Sequence, residues 1–188
     1  GKIGQVLRAD QPPLYNDYRF RGNVSDARNL GIEAFAEVDL MKIFSPRNPH
    51  TRLTLFLNTA VVDARYINTD DPTIRNKKVE MAPPLMLRSG LTYQNGAFRG
   101  ALQYAWIARH FSDATNAVRT ATAVEGEIPG YGVADLSASY TWRRLTLEAS
   151  CNNLFDAGYF TRRAESYPGP GIIPADGRGL YVTLAAQF

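Results

Sequence analysis

The chain has 188 residues, enough for one domain with a real core. Its net charge of +3 comes from interspersed Lys, Arg, Asp and Glu, so despite a pI near 9.1 there is no basic run to suggest a nucleic-acid partner. Cys151 is the only cysteine, which excludes an intrachain disulfide, and no apolar run reaches the ~18 residues of a transmembrane helix. A mean hydropathy of −0.26 still leaves a membrane open, because a transmembrane barrel alternates lipid-facing and lumen-facing residues and averages near neutral. Aromatic content of 11%, with ten Tyr and nine Phe, leans toward β structure.

Period two dominates the chain. Residues 2 to 8 read as a weak strand with Ile3 and Leu7 in register, followed by a long connection over 9 to 28. In "LGIEAFAEVDL", Leu30, Ile32, Ala34, Ala36, Val38 and Leu40 oppose Glu33, Glu37 and Asp39. A moderate turn at 43 to 51 leads into "RLTLFLNTAVV", where Leu53, Leu55, Leu57 and Val61 oppose Thr54 and Asn58. After a long connection at 67 to 84, "LMLRSGLTYQ" sets Leu85, Leu87, Leu91 and Tyr93 against Arg88, Thr92 and Gln94. Asn95-Gly96 is a strong hairpin signal. It leads into Phe98, Leu102, Tyr104, Trp106 and Ala108, with Arg99, Gln103 and Arg109 opposite.

A third long connection spans 110 to 130. Then Ala134, Leu136, Ala138, Tyr140 and Trp142 alternate with Asp135, Ser137, Ser139 and Thr141. A tight turn at Arg143-Arg144 precedes Leu145, Leu147, Ala149 and Cys151, which alternate with Thr146, Glu148, Ser150 and Asn152. The last connection, 155 to 176, holds "ESYPGPGIIP", too rich in Pro and Gly for a helix or a central strand. "GRGLYVTLAAQF" closes the chain, with Leu180, Val182, Leu184, Ala186 and Phe188 on one face.

About eight strands joined by alternating short and long connections predict an all-β, antiparallel up-and-down barrel with its turns at one end and its loops at the other. Outer-membrane barrels have this asymmetry, with short periplasmic turns and long extracellular loops. The last strand then runs inward and the C-terminus is periplasmic. Tyr93, Phe98, Tyr140 and Trp142 near the turns read as an aromatic girdle at a lipid interface. Glu33, Glu37, Asp39, Arg88, Arg99, Arg109, Asp135 and Glu148 read as a wet or protein-filled lumen face. A soluble β-sandwich with one solvated face is the alternative without a membrane.

"NNLFDAGYFTRRAESYPGPGIIPADGRGLYVTLAAQF", residues 152 to 188, resembles the C-terminal end of TonB-dependent outer-membrane receptors, especially the ferric-citrate type of iron transporter. Asn153, Leu154, Phe155, Asp156, Tyr159 and Phe160 resemble the family's penultimate strand and the start of its last loop. "NVSDARNLGIEAFAEV" and "IPGYGVADLSASY" resemble two of its internal strands. The resemblance implies a Gram-negative outer-membrane barrel of twenty-two strands with an N-terminal plug in the lumen. It implies import of a ferric chelate, ferric citrate or another siderophore complex, with energy from TonB acting through the plug. Residues 1 to 188 would be the C-terminal segment of that barrel, about a third of its strands. The plug lies outside this sequence, and the remaining barrel strands, outer-membrane lipid and lipopolysaccharide are further implied partners. The sequence begins without Met or a signal peptide, so it is expected to be a mature form or part of a longer chain. A free-standing eight-stranded barrel with a structural or adhesion role is the other membrane reading.

No catalytic constellation stands out, and neither enzyme activity nor a cofactor is expected. His50 and His110, the only histidines, fall at opposite ends of the predicted barrel, so a clustered metal site is not expected. Arg162 and Arg163 are adjacent in the last loop, where planar guanidinium groups suit the carboxylates of an anionic chelate. Arg109 and Arg119 are weaker candidates for the same role. A loop ion pair or a lipopolysaccharide phosphate is the alternative partner for these arginines. By resemblance, Phe188 also carries the signal read by the outer-membrane assembly machinery.

Overall fold

A computed structural model of the chain describes residues 2–6, 20–45, 50–164 and 170–188, with side chains from Ser25 onward. The connection at 7–19 and the part of the proline-rich loop at 165–169 lie outside the described residues. In chain order the elements are β1 (Lys2–Val6), β2 (Phe20–Asp39), α1 (Leu40–Phe44), β3 (Thr51–Thr69), β4 (Leu85–Asn95), β5 (Phe98–Ile107) and β6 (His110–Phe111). They continue with β7 (Glu127–Ile128), β8 (Tyr131–Trp142), β9 (Leu145–Asn152), β10 (Phe160–Ala164), β11 (Gly171–Pro174) and β12 (Gly179–Ala186). Eight strands form one antiparallel sheet in the order β1-β2-β3-β4-β5-β8-β9-β12. β6-β7 and β10-β11 form two small ribbons within the long connections.

The register converts the sequence alternation into two continuous faces. Val38, Leu55, Leu91, Leu102, Leu136, Cys151 and Leu180 are successive cross-strand partners, an apolar row spanning seven strands. One residue along, Asp39, Thr54, Thr92, Ala101, Ser137, Ser150 and Tyr181 form a small or polar row on the other face. A one-residue slip anywhere would interleave these rows and turn charges into the apolar face, so the pattern itself fixes the register. The polar face is concave, and Arg99, Gln103, Ser139, Glu148 and Thr183 line a trough of about 300 Å³ within it.

No second sheet covers the apolar face among the described residues. Ile32, Leu147 and Val182 on that face are at least half exposed. A contiguous apolar band of this extent suits lipid rather than water, which removes the β-sandwich reading. β1 and β12 are the two ends of the sheet and do not pair with each other, so these strands form an open section of a barrel and not a closed eight-stranded one.

Aromatic rings mark both boundaries of the band. At the short-turn end, the Tyr93 and Phe98 rings lie 6.2 Å apart, Phe98 pairs with Tyr140, and the Arg143 guanidinium sits 5.4 Å over Trp142. At the long-loop end, Trp106 lies eight residues beyond Phe98 on β5, about 27 Å along the strand and about 20 Å once barrel tilt is allowed for.

Five expectations need correction. The strand expected after a connection ending near residue 28 starts at Phe20, and that expected to give way to a connection at residue 67 runs to Thr69. The apolar alternation ends where lipid would end, and the strands continue as a water-exposed wall. There Asp63 accepts from Arg65 Nε at 2.8 Å and sits 3.8 Å from Arg28. The moderate turn contains α1, begun by Asp39, whose carboxylate accepts from the Met41 N–H at 3.1 Å. The last long connection is partly a ribbon, with Ile172 and Ile173 opposite Arg163 and Arg162. β12 ends at Ala186, and Phe188 lies fully exposed beyond it, although Gln187 N still donates to Arg144 O at 2.9 Å.

Phe35 and Phe56 break the polar character of the concave face. Their rings are 6.5 Å apart, and the Phe56 ring lies over Gly90, its direct partner on β4. A Cβ at Gly90 would occupy the space of that ring. Gly90→Val is therefore expected to displace Phe56 and lower unfolding stability by about 1–3 kcal/mol. Urea unfolding in detergent micelles, read by the heat-modifiable shift of the folded barrel, measures the loss.

Candidate functional site

The described parts of the last three long connections stand at one end of the sheet, and side chains reach from the first of them to the second and from the second to the third. The first anchor is Tyr66 near the end of β3, which packs with Ile74 and Ala114 in a small apolar core flanked by Ala27 and Val79. This core joins the 70–84 and 108–130 connections above the lipid-facing band. The Tyr66 hydroxyl donates to Glu80 Oε2, and burial together with that carboxylate pushes the phenol well above its ordinary pKa.

Asn116 is the second anchor. Its Oδ1 accepts from Lys78 N at 2.7 Å, and its Nδ2 donates to Lys78 O at 2.8 Å. A side-chain amide thereby pairs with the backbone as a neighbouring strand would. Met81 N donates to Phe111 O at 2.8 Å and extends the same junction.

Arg163 is the third. From β10 it donates through Nη1 to Ala123 O at 2.7 Å and through Nη2 to Glu127 O at 2.9 Å. Its guanidinium lies 5.1 Å from the Phe160 ring centroid and packs on Gly126, where a Cβ would come within 3.3 Å. Gly126 has φ of +146°, so both its backbone and its missing side chain fit this contact. Arg163 thus ties the last ribbon to the 108–130 connection.

The four arginines expected at a binding surface do not share one environment. Arg162 is exposed on β10, while Arg163 is half-buried and engaged with backbone. Arg109 projects into solvent, with Nη1 3.6 Å from Glu127 Oε2. Arg119 is exposed beside Gly126, with which it forms an isolated bridge. Glu127 receives two of these arginines, since its carbonyl takes Arg163 from the last ribbon and its carboxylate lies beside Arg109 of its own connection. His110 is buried, with Nδ1 3.1 Å from Ala108 O.

Below the last ribbon, Asp135, Asn152, Tyr159, Asp176 and Tyr181 line a polar hollow of about 430 Å³ on the concave face. Tyr159 stacks on Tyr131 at 4.6 Å. Asn153 organises the floor of this hollow. Its N–H donates to Asp135 Oδ1 at 2.8 Å, and its Oδ1 accepts from Ala157 N at 2.8 Å. Its Nδ2 donates to Ala157 O at 3.0 Å and to Asp176 O at 3.3 Å. Asp156 adds a bond from Arg178 N at 2.9 Å. Asn153 and Asp156 both have positive φ, which short polar side chains tolerate best. "NLFD" is thus a turn that fastens β8, β9 and the end of the last connection together.

Sequence pattern alone missed Asn116, Asn153 and Tyr66 as organisers. Asparagines in loops are common, and nothing in their spacing reveals a partner far away in the chain. The signal within reach was Asn153 directly after a strand, followed by Asp156 and Gly158.

The sequence pattern of the family described as "TonB dependent receptor-like, beta-barrel" matches residues 5–154. Among solved structures, the unliganded ferric citrate transporter FecA superposes with a TM-score of 0.74 at 23% identity, covering 86% of this chain and 24% of that one. The ferric yersiniabactin uptake receptor FyuA from Yersinia pestis gives 0.70 at 18% identity, covering 90% and 25%. The copper transporter OprC gives 0.59 at 21% identity, covering 87% and 24%. The chain therefore spans about a quarter of the length of each of these structures. No curated protein sequence matches it.

Two outcomes test the anchors. Asn153→Ala should cost about 2–3 kcal/mol in urea unfolding, because it strands buried backbone groups. Asn153→Asp, which keeps the acceptor, should cost less. The raised Tyr66 phenol stabilises the loops fully below the unfolded tyrosine pKa of about 10, and that contribution is lost as pH rises above it. Tyrosinate absorbance during an alkaline titration should lose its latest component in Tyr66→Phe.

Proposed function

The chain belongs to the TonB-dependent receptor β-barrel family, and from that premise we propose that it forms the C-terminal section of an outer-membrane receptor importing a ferric chelate with energy from TonB. The observation that carries this reading is the seven-strand apolar row backed by a polar concave face, a wall with lipid on one side and an aqueous or protein-filled lumen on the other. The long connections face outward as the substrate-recognising surface, close to lipopolysaccharide, and the short turns and C-terminus face the periplasm. Phe188 serves as the assembly signal. The unpaired edges of β1 and β12 receive the remaining strands of the barrel. Glu33, Glu37, Arg88, Arg99 and Glu148 form no ion pair with any described residue and are available to a plug in the lumen, through which TonB acts.

FecA and FyuA carry ferric complexes by name, and OprC carries copper. The fold itself therefore does not set the cargo, and the choice falls to particular side chains. Ferric citrate is our choice because exposed Arg162, with Arg109 and Arg119, offers guanidinium groups to a carboxylate-rich anion. Arg163 takes part by holding the surface that presents them.

Binding of ferric citrate to the full-length receptor should weaken about tenfold or more in Arg162→Ala, the loss of one charge-assisted contact worth about 1.5–3 kcal/mol. Arg163→Ala should weaken it too, and additionally speed hydrogen exchange at Ala123 to Glu127. Unchanged affinity in both variants would remove the arginine surface. Iron-limited growth that survives loss of TonB would remove the transport reading itself.

A further inference from the structure

The rim at the short-turn end is unlike the other end. We propose that it docks anionic phospholipid headgroups, with α1 lying in the bilayer interface as an apolar contact rather than standing in water. α1 reads LMKIF and buries none of its residues, while Ile43 is 61% and Phe44 76% exposed. A connection surrounded by water would gain nothing from this composition. The turn is nevertheless held in place, because Asp39 caps it, Ser45 N donates to Met41 O at 2.8 Å, and it packs on β3.

Two observations name the occupant. The first is continuity. α1 follows directly on β2 and precedes β3, whose Leu53 pairs with Tyr93, and Tyr93 begins the ring row of Phe98, Tyr140 and Trp142. The apolar turn thus prolongs the lipid-facing band at its aromatic boundary. The second is charge. At the short turns Lys42, Arg143 and Arg144 are positive, and the Asp39 carboxylate is engaged in capping α1. Arg143 stacks over Trp142 at 5.4 Å, which sets a guanidinium at the depth of an interfacial indole. Long basic side chains that lay their stems on apolar surface and lift their charge to phosphate depth give this pattern. The proposal rests on the barrel reading above, in which these turns meet the phospholipid leaflet.

The test uses the full-length receptor in vesicles with brominated acyl chains. The emission added by Phe44→Trp should be quenched by brominated lipid and shielded from aqueous iodide. Quenching by iodide alone would show a solvated turn, and emission quenched by neither would show a protein cover; either result overturns the proposal. The emission lost in Trp142→Phe is the control, because failure of the barrel reading would free that residue from lipid quenching as well. Brominated phosphatidylglycerol should quench the added emission about twofold more than brominated phosphatidylcholine at equal fraction, and K42Q/R144Q should abolish the difference. Equal quenching by the two lipids in the parent would overturn the headgroup assignment.

Discussion

Inside a bilayer a backbone amide has no water to bond, so each strand must find its partners in the strands beside it. That requirement is met from β2 to β12 by continuous antiparallel pairing, and the rest of the structure follows from it. Once pairing is obligatory, side chains are forced to opposite faces at alternate residues. One face must then suit lipid and the other the lumen. Cys151, between Leu136 and Leu180 in the apolar row, behaves accordingly as a small hydrophobe.

The same constraint explains what could be read from sequence. Wherever lipid imposes the alternation, as in Leu85 to Tyr93 or Ala134 to Trp142, strand, face and neighbour follow from the residues alone. Above the lipid the constraint lapses. β2 and β3 continue there, held by Arg28, Asp63 and Arg65, and their side chains no longer declare a face. α1 was hidden for a related reason, since five residues are too few to show a helical period. The candidate site was legible mainly as a set of exposed cations. That Arg163 is engaged with backbone while Arg162 is exposed depends on contacts forty residues away in the chain, which no local pattern encodes.

The concave face carries an exception with a physical cause. Phe35 and Phe56 sit among charges, and Gly90 provides the flat ground on which the Phe56 ring rests. On the outer face Tyr104 covers Gly132 in the same way. Glycine weakens a strand by leaving backbone bare, and in both places an aromatic ring from the adjoining strand supplies the missing cover.

Apart from Tyr66, which bonds the Glu80 carboxylate, the loop anchors share a chemical preference. Asn116 binds the amide and carbonyl of Lys78, Arg163 binds two carbonyls, and Asn153 binds the backbone of Ala157 and Asp176. None of these bonds depends on the side chain of the residue it holds. Such fastening is blind to sequence: Lys78, Ala123 or Asp176 can be exchanged for other residues while the fastening bonds persist. A loop surface held this way can change its exposed side chains by substitution, without first having to reinvent its shape.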